Sequence, residues 1–224
     1  MELLVATLAR TLPDKEEDGL ARVHLIADTV RNAPGLINAG FYRSLGRDSY
    51  YFMLTTWEDE DFWQKAQERY NPGHLLLGSA TELLMAPPEQ WLMSYLWGYS
   101  RPTTSAAPIV AAAHLVTLRP DQVEPIQRGW IEGLRRQAVE PILAFAFLAR
   151  GMNEEAALST MPSTGGNKAN GEVPIYQQGS IFLNLLSWPG EAEREEFYSD
   201  PTYQAISRLL KSRGVVQILP LEPF

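Results

Sequence analysis

Residues 50–61, YYFMLTTWEDED, join an apolar run to a Trp and four acidic residues. An apolar run of this length predicts a strand buried on both faces. Acidic residues directly after it predict the first turn of a helix, where the helix dipole favours anions. Residues 181–188, IFLNLLSW, form a second apolar run that also ends in Trp. The recurrence indicates an internal repeat.

Two further pairs of segments recur in the same order in both halves. Thr11-Leu12-Pro13-Asp14 is matched by Thr117-Leu118-Arg119-Pro120-Asp121, and Tyr70-Asn71-Pro72-Gly73-His74 is matched by Ser199-Asp200-Pro201-Thr202-Tyr203. The second copy is longer, and its extra residues fit 151–178, a stretch rich in Ser, Thr, Gly and Asn with no apolar period. A duplication with one insertion explains all three pairs.

Each half predicts the element order strand, helix, strand, strand, helix, strand. In the first half we predict strands at 2–10, 36–44, 50–57 and 91–99, and helices beginning at Pro13, at 58–69 and at 74–85. In the second half we predict strands at 109–118, 142–150, 180–188 and 214–221, a helix at 121–139, and helical structure in one or two pieces at 191–212. This order predicts an α+β protein built from two ferredoxin-like βαββαβ repeats.

The predicted domain organisation is one repeat at 1–100, a Pro- and Thr-containing linker at 101–108, and a second repeat at 109–224 with the long loop at 151–178. The strands at 50–57, 91–99 and 180–188 are apolar on both faces. Helices cover only one face of each sheet, so we expect the two sheets to pack against each other with the helices outside.

Composition excludes several classes of site. The chain has 224 residues, 45% hydrophobic and 21% charged, which is typical of a globular protein. It contains no Cys, which excludes disulfides, Cys nucleophiles and thiolate metal sites. The net charge of −8 argues against nucleic-acid binding. No apolar run has the length of a membrane span, and the N-terminus lacks a basic signal-peptide start, so we expect a cytoplasmic protein with no membrane partner.

The segments Thr56-Trp57-Glu58-Asp59-Glu60-Asp61-Phe62 and Pro72-Gly73-His74 resemble the dimeric α/β-barrel superfamily and, within it, the antibiotic biosynthesis monooxygenases. Asp200-Pro201-Thr202-Tyr203 is similar in the second half. The resemblance implies that the two repeats form an intramolecular dimeric α/β barrel. It also implies a cofactor-independent monooxygenase, or a related cyclase, that acts on an aromatic polyketide-like small molecule in secondary metabolism and uses dioxygen.

Three residues are candidates for catalysis. His74 occupies the Pro-x-His position of the resemblance and is the expected base. His24 is expected to face the sheet from the first helix, either as a catalytic group or as a hydrogen-bonded core histidine. Asn184 lies on the same strand face as Trp188, where its amide either bonds a neighbour or stabilises negative charge on a ligand.

A second group of residues is predicted to bind the substrate: Trp57, Trp91, Tyr95, Tyr51, His114 and Arg43. The aromatic residues would stack on a flat ring, although the same residues also suit a core between two sheets. His114 lies among small residues, which fits either a cavity or close helix packing. Arg43 would bind an anionic oxygen or point to solvent. No metal site is predicted.

Two alternatives remain open at this point. One is a haem-binding or haem-degrading protein of the same fold, for which haem would be the cofactor. The first strand lacks the Asn of the haem-degrading members, and no His follows His114 as in the chlorite dismutase-like proteins. The other is a non-catalytic barrel that binds a small molecule. A homodimer of tandem chains is also possible.

Overall fold

The computed structural model describes residues 2–46, 48–78, 80–101, 110–139, 142–152 and 180–224. The first half contains β1 (Leu3–Arg10), α1 (Glu16–Val30), β2 (Leu36–Ser44), β3 (Tyr50–Trp57), α2 (Glu60–Tyr70), α3 (Pro72–Leu77), α4 (Ala80–Leu83) and β4 (Glu89–Ser100). The second half contains β5 (Val110–Leu118), a 3₁₀ turn (Pro120–Gln122), α5 (Val123–Gln137), β6 (Phe145–Gly151), β7 (Ser180–Trp188), α6 (Glu191–Ser199), α7 (Pro201–Arg213) and β8 (Gly214–Pro223).

The eight strands close into one antiparallel barrel in the order β1-β3-β2-β8-β5-β7-β6-β4. Within this order, β4-β1-β3-β2 is the sheet of the first half and β6-β7-β5-β8 is the sheet of the second. The halves join where β2 pairs with β8 and where β4 pairs with β6. The predicted α+β fold of two ferredoxin-like repeats in an intramolecular dimeric α/β barrel is therefore confirmed.

The barrel interior is an apolar core shared by the two halves. Alternate residues of every strand point inward. The core residues are Ala6, Leu8, Phe52, Met93, Ala111, Ala113, Leu115, Phe147, Ala149, Leu183, Leu185, Leu219 and Leu221. The apolar strands require cover on both faces of each sheet, and this core covers the inner faces.

The helices cover the outer faces of the strands in two separate layers. In the first half, α1 packs Val23 and Ala27 against the sheet, and α2 packs Trp63. In the second half, α5 contributes Trp130 and α6 contributes Phe197. Each half therefore has its own space between helices and sheet, separate from the barrel interior.

Element boundaries differ from prediction where local capping decides them. Helix α1 begins at Glu16 rather than Pro13, because Asp14 has a φ of 66° and interrupts the helical backbone. The helix predicted at 74–85 begins earlier, at Pro72, because the Asn71 side chain accepts hydrogen bonds from the N–H groups of Gly73 and His74. The predicted domain limits stay a prediction. The linker beyond Arg101 and the loop beyond Met152 lie outside the described residues.

A β-bulge in β4 separates residues that a regular strand would place on one face. The register with β6 shifts between Tyr95 and Trp97. As a result Trp91 packs against the barrel interior, while Trp97 packs against the helix-covered core of the second half. The period of two along a regular strand predicts that Trp91, Tyr95, Trp97 and Tyr99 share one face. This prediction is wrong, because a bulge reverses the alternation of side chains.

Candidate functional site

Between the sheet and the helices of the second half lies a group of buried polar side chains. His114 of β5 points into it and is 3% exposed. Its Nε2 lies 3.1 Å from the hydroxyl of Tyr198 on α6. The two rings are nearly parallel, at 12°, with centroids 6.0 Å apart. Tyr203 of α7 meets the same imidazole edge-on, so His114 is held between two tyrosines.

Burial sets the protonation of this pair. Burial, and to a smaller extent the charge of Lys211, lowers the pKa of His114 from its ordinary 6.5 to about 4. Burial also raises the pKa of the Tyr198 hydroxyl above its ordinary value. At neutral pH the imidazole is therefore uncharged and the tyrosine is protonated. We assign the hydrogen bond on this basis, with Tyr198 O–H donating to the free electron pair of His114 Nε2.

Two buried polar atoms beside this pair lack a hydrogen-bond partner. They are Oδ1 of Asn184, which is 1% exposed, and Nε1 of Trp188, which is fully buried. Both residues lie on the helix-facing side of β7, and Asn184 is directly opposite His114 in the β5–β7 pairing. A buried acceptor and a buried donor without partners are costly, so such groups in a native fold call for an explanation.

A cleft of about 500 Å³ opens along α6, and of the residues described above only Tyr198 lines it. Ala112, Ile218 and Pro220 form its apolar floor. Tyr198 and Ser199 contribute hydroxyl groups, and Arg194 and Glu195 contribute opposite charges. Ala112 pairs with Leu186, so this part of the floor lies between Asn184 and Trp188 along the sheet. Tyr198 both lines the cleft and contacts His114, which connects the cleft to the buried imidazole.

The predicted catalytic residues do not come together. His74 is exposed, and its ring makes no hydrogen bond, ion pair or ring contact with any described residue. The prediction that His24 faces the sheet is wrong: it lies on the exposed side of α1 and contacts Phe224 edge-on at 4.9 Å. A helix turns by 100° per residue, so the residue after Val23 points away from the buried stripe. Only Asn184 lies in the second-half site.

The predicted substrate-binding residues are spread over several environments. Tyr51 is buried in the first half, and its hydroxyl donates to the carbonyl of Glu16. Arg43 is exposed and forms an ion pair with Glu222. Trp57 is fully buried against Trp63. His114, for which the sequence fits either a cavity or close helix packing, belongs to the second-half site.

Trp91 and Tyr95 lie apart from both helix layers. Trp91 packs in the barrel interior. Tyr95 is 58% exposed and lines a pocket at one end of the barrel. Four predicted aromatic residues, Trp57, Trp91, Tyr95 and Tyr51, therefore do not form one wall, because they project into the first-half core, the barrel interior and the barrel end.

Sequence reasoning missed Tyr198 and Arg194, and it treated Tyr203 only as the counterpart of His74. Asn184 and Trp188 are four residues apart on a strand, so the period of two already places them on one face. A comparable signal for Tyr198 is lacking, because its contact with His114 spans 84 positions and depends on how α6 crosses the sheet.

The described histidines do not offer a haem iron an open ligand. A haem ligand needs a free nitrogen inside a pocket that holds the macrocycle. His114 Nε2 is buried and engaged by Tyr198, while His24 and His74 lie on the outer surface of the first half. Within the described ranges, no group of three or more His, Asp or Glu side chains is placed to hold a metal ion. None of the described helices is long and apolar enough to cross a membrane.

Comparison with known families matches one part of the chain. Residues 3–69 match the sequence model of the antibiotic biosynthesis monooxygenase family. This segment runs from β1 into α2 and contains the Trp57 motif. The match supports a monooxygenase-family function. No curated protein sequence matches the chain significantly.

Solved structures of similar fold cover nearly the whole chain. An anthrone oxidase-like protein superposes with a TM-score of 0.72 at 11% identity, covering 100% of this chain and 91% of the other. A proposed monooxygenase from Fusobacterium nucleatum subsp. nucleatum gives 0.69 at 8% identity, covering 99% and 92%. A ferredoxin-fold protein related to antibiotic biosynthesis monooxygenases, from Listeria monocytogenes, gives 0.53 at 11% identity, covering 100% and 97%. At these identities the likeness establishes the fold.

Proposed function

We propose that the chain is a cofactor-independent monooxygenase that oxidises an aromatic, polyketide-like phenol or enol with dioxygen in the second-half cleft. One observation carries the proposal: the neutral His114–Tyr198 pair adjoins a cleft beside two buried polar atoms without partners. The family match to residues 3–69 supports the reaction class. The fold shared with an anthrone oxidase-like protein is consistent with a tricyclic substrate.

The proton would leave the substrate through Tyr198. The substrate O–H or activated C–H gives its proton to the Tyr198 oxygen, while the Tyr198 proton moves to His114 Nε2. A neutral imidazole is required for this step, and the lowered pKa of His114 keeps it neutral well below pH 7. Because burial disfavours the imidazolium, His114 returns the proton readily in a later step.

The cleft would stabilise the resulting anion. The Arg194 guanidinium lines the cleft and is ion-paired with Glu191. Its charge would favour an ionised phenolate or enolate, and the Glu195 carboxylate in the same lining would offset part of this effect. Asn184 Oδ1 and Trp188 Nε1 are not part of the cleft lining, and a ligand that reaches them would supply a donor to the first and an acceptor to the second. Of the two, the Trp188 N–H would stabilise developing negative charge. The apolar floor of Ala112, Ile218 and Pro220 suits a flat ring.

The oxidation itself would use electrons of the substrate. The anion passes one electron to dioxygen, and the radical pair joins to form a carbon–oxygen bond. The hydroperoxide then loses water as the proton returns from His114 through Tyr198. The balance is one CH₂ group and one O₂ converted to one C=O group and one H₂O. In this scheme the residues move a proton and hold an anion.

The test uses anthrone as substrate, with oxygen uptake and anthraquinone formation as readouts. We expect wild-type protein to accelerate the reaction above buffer, and Tyr198→Phe and His114→Gln to lower the rate by about 100-fold or more. His74→Ala is the matched control and should retain the wild-type rate. Thermal unfolding of each variant checks that the fold is retained.

Two results would contradict this proposal. A wild-type rate equal to the buffer rate would contradict the substrate class. Loss of turnover in His74→Ala, with turnover retained in Tyr198→Phe, would place the base in the first half, as the sequence alone predicts. Haem binding is tested by adding haemin, and we expect no Soret shift.

A further inference from the structure

A second pocket, distinct from the cleft, lies at one end of the barrel. Its volume is about 770 Å³. The pocket lies where β1 and β2 begin and where β3 and β4 end, and the start of β6 adds a fifth strand to its lining. We call it the mouth pocket. The cleft lies outside the barrel under α6, and the residues that line the two sites do not overlap.

The wall of the mouth pocket is mainly apolar and aromatic. It is formed by Leu4, Leu54, Tyr95, Tyr99, Phe145 and Phe147. Tyr95 is 58% exposed, and the contact of its apolar ring with water is unfavourable. Its ring lies over Gly98, where an added Cβ would come within 2.3 Å of the tyrosine hydroxyl. The absence of a Cβ at Gly98 therefore leaves room for the Tyr95 ring at the pocket edge.

Two β-bulges border this pocket. One lies between Tyr95 and Trp97 in β4, and the other between Leu36 and Asn38 in β2. Tyr95 and Asn38 both line the pocket. Bulges at a barrel rim re-aim side chains and are frequent beside binding sites. The pairing of β2 with β8, at the other junction of the halves, shows no register shift.

Charge defines the kind of ligand that the mouth pocket accepts. Its polar rim consists of Asn38, Thr56, Ser94 and Ser100, together with the carboxylate of Glu2. Lys, Arg and His are absent from its described lining. An anion in this pocket would meet the Glu2 carboxylate, while the Arg101 guanidinium lies outside the lining and 5.9 Å from the Tyr99 ring centroid. A neutral or cationic ring compound would meet aromatic walls and hydrogen-bonding groups.

We propose that the mouth pocket is a second small-molecule site that binds an uncharged or cationic aromatic compound, independently of the cleft. The site is assembled from both halves, since Tyr95 and Tyr99 come from β4 and Phe145 and Phe147 from β6. A single repeat lacks one of these two walls. The duplication therefore creates a site that neither half contains by itself.

The test compares two fluorescent probes that share an anilinonaphthalene ring system. N-phenyl-1-naphthylamine is uncharged, and 8-anilino-1-naphthalenesulfonate is an anion. We expect saturable binding of the uncharged probe and at least about 5-fold weaker binding of the anion. Glu2→Gln should reduce this difference by about 2-fold, as expected for one exposed carboxylate.

Matched variants locate the binding. Tyr95→Ala should weaken binding of the uncharged probe by about 5- to 10-fold through loss of the aromatic wall, and Tyr95→Phe should keep most of it. Leu25→Ala is the control, since Leu25 is 57% exposed on α1, outside the barrel, and does not line the mouth pocket. The cleft variant Tyr198→Phe should bind the probe as wild type does.

Several results would overturn the inference. They are binding that does not saturate, equal losses in Tyr95→Ala and Leu25→Ala, or an anionic probe that binds as tightly as the uncharged one. Loss of probe binding in Tyr198→Phe would show that the cleft is the probe site. Because anthrone oxidation is measured separately, failure here leaves the proposed monooxygenase activity to its own test.

Discussion

The two halves share one topology but differ in how they treat buried polar groups. In the β1–β3 and β5–β7 pairings, Leu3 lies opposite Trp57 and Val110 lies opposite Trp188. On this alignment Thr7 corresponds to His114 and Met53 to Asn184. The first half therefore places a small hydroxyl and a thioether where the second half places an imidazole and an amide.

Hydrogen bonding shows the same contrast. In the first half, Trp57 Nε1 donates to Thr55 Oγ1 at 3.0 Å. Gln90 Nε2 donates to Thr7 Oγ1 at 2.8 Å and to Asn71 Oδ1 at 2.7 Å. In the second half Leu186 replaces Thr55 in the alignment, and Trp188 Nε1 has no partner. At these aligned positions the first half pairs its buried polar groups, whereas Asn184 Oδ1 and Trp188 Nε1 of the second half have no partner; elsewhere in the first half, Arg22 Nε also lacks one.

This difference explains why the proposed chemistry lies in one half. After duplication, two equivalent spaces between helices and sheet existed in one chain. A satisfied network, as around Asn71 and Gln90, stabilises the fold. Unsatisfied groups, as at Asn184 and Trp188, reduce stability and are retained where they act on something else. Variants at corresponding positions of the two halves test this division.

Asn184→Met gives the second half the residue that the first half has at the corresponding position. We expect anthrone oxidation to fall by about 100-fold, because the Asn184 Oδ1 acceptor for a ligand donor is lost. We also expect stability to stay equal or rise, since a buried acceptor without a partner is removed. Rates and urea midpoints measure the two effects. Met53→Leu is the control in the first half, and equal rate losses in both variants would remove the distinction between the halves.

The free energy of unfolding should fall as the pH is lowered from 6.5 toward 4. In this range His114 is neutral in the folded chain and protonated in the unfolded chain. The folded pKa is about 4 and the ordinary value is 6.5, so the unfolded chain binds more protons between these limits. The contribution is present above pH 6.5 and is lost toward pH 4. Between pH 7.5 and pH 5 we expect a loss of about 2 kcal/mol. Urea unfolding measures it, and His114→Gln should lack this component. An unchanged pH dependence in that variant would contradict the assignment.

Thr55→Val removes the hydroxyl that accepts from Trp57 and keeps the shape of the side chain. We expect a loss of about 1–3 kcal/mol in the free energy of unfolding, because a buried indole N–H loses its partner. The same change in a Trp57→Phe background should cost less, since the donor is already absent. Equal costs in both backgrounds would show that the bond contributes nothing measurable.

Trp57→Phe and Trp188→Phe remove the same atoms from equivalent positions. Both lose packing of a fully buried ring. Only Trp57 also loses a satisfied hydrogen bond, so its replacement should cost about 1 kcal/mol more. Urea denaturation of the two variants gives the difference. A larger cost for Trp188→Phe would indicate that its N–H is bonded in solution and would weaken the comparison.

The sequence predicted the repeat and most strand positions, because apolar runs and their recurrence are local signals. The predicted bounds of Leu36–Ser44, Tyr50–Trp57 and Ser180–Trp188 agree with the structure. It also placed Asn184 and Trp188 on one face, since side chains alternate along a strand. The choice of His74 failed to bring a base near these groups, because a short motif does not say which of two equivalent halves keeps its cavity.

What the sequence determined by itself is the architecture: two copies of one unit, whose apolar strands require a shared core. Only the tertiary structure decided which side chains from distant parts of the sequence contact each other. His114 and Tyr198 are 84 positions apart, and Tyr95 reaches its place through a bulge that no periodicity marks. Fold follows from patterns repeated along the chain, whereas a site depends on a few individual contacts. Those contacts are set by how helices cross the sheet and where a strand breaks its register.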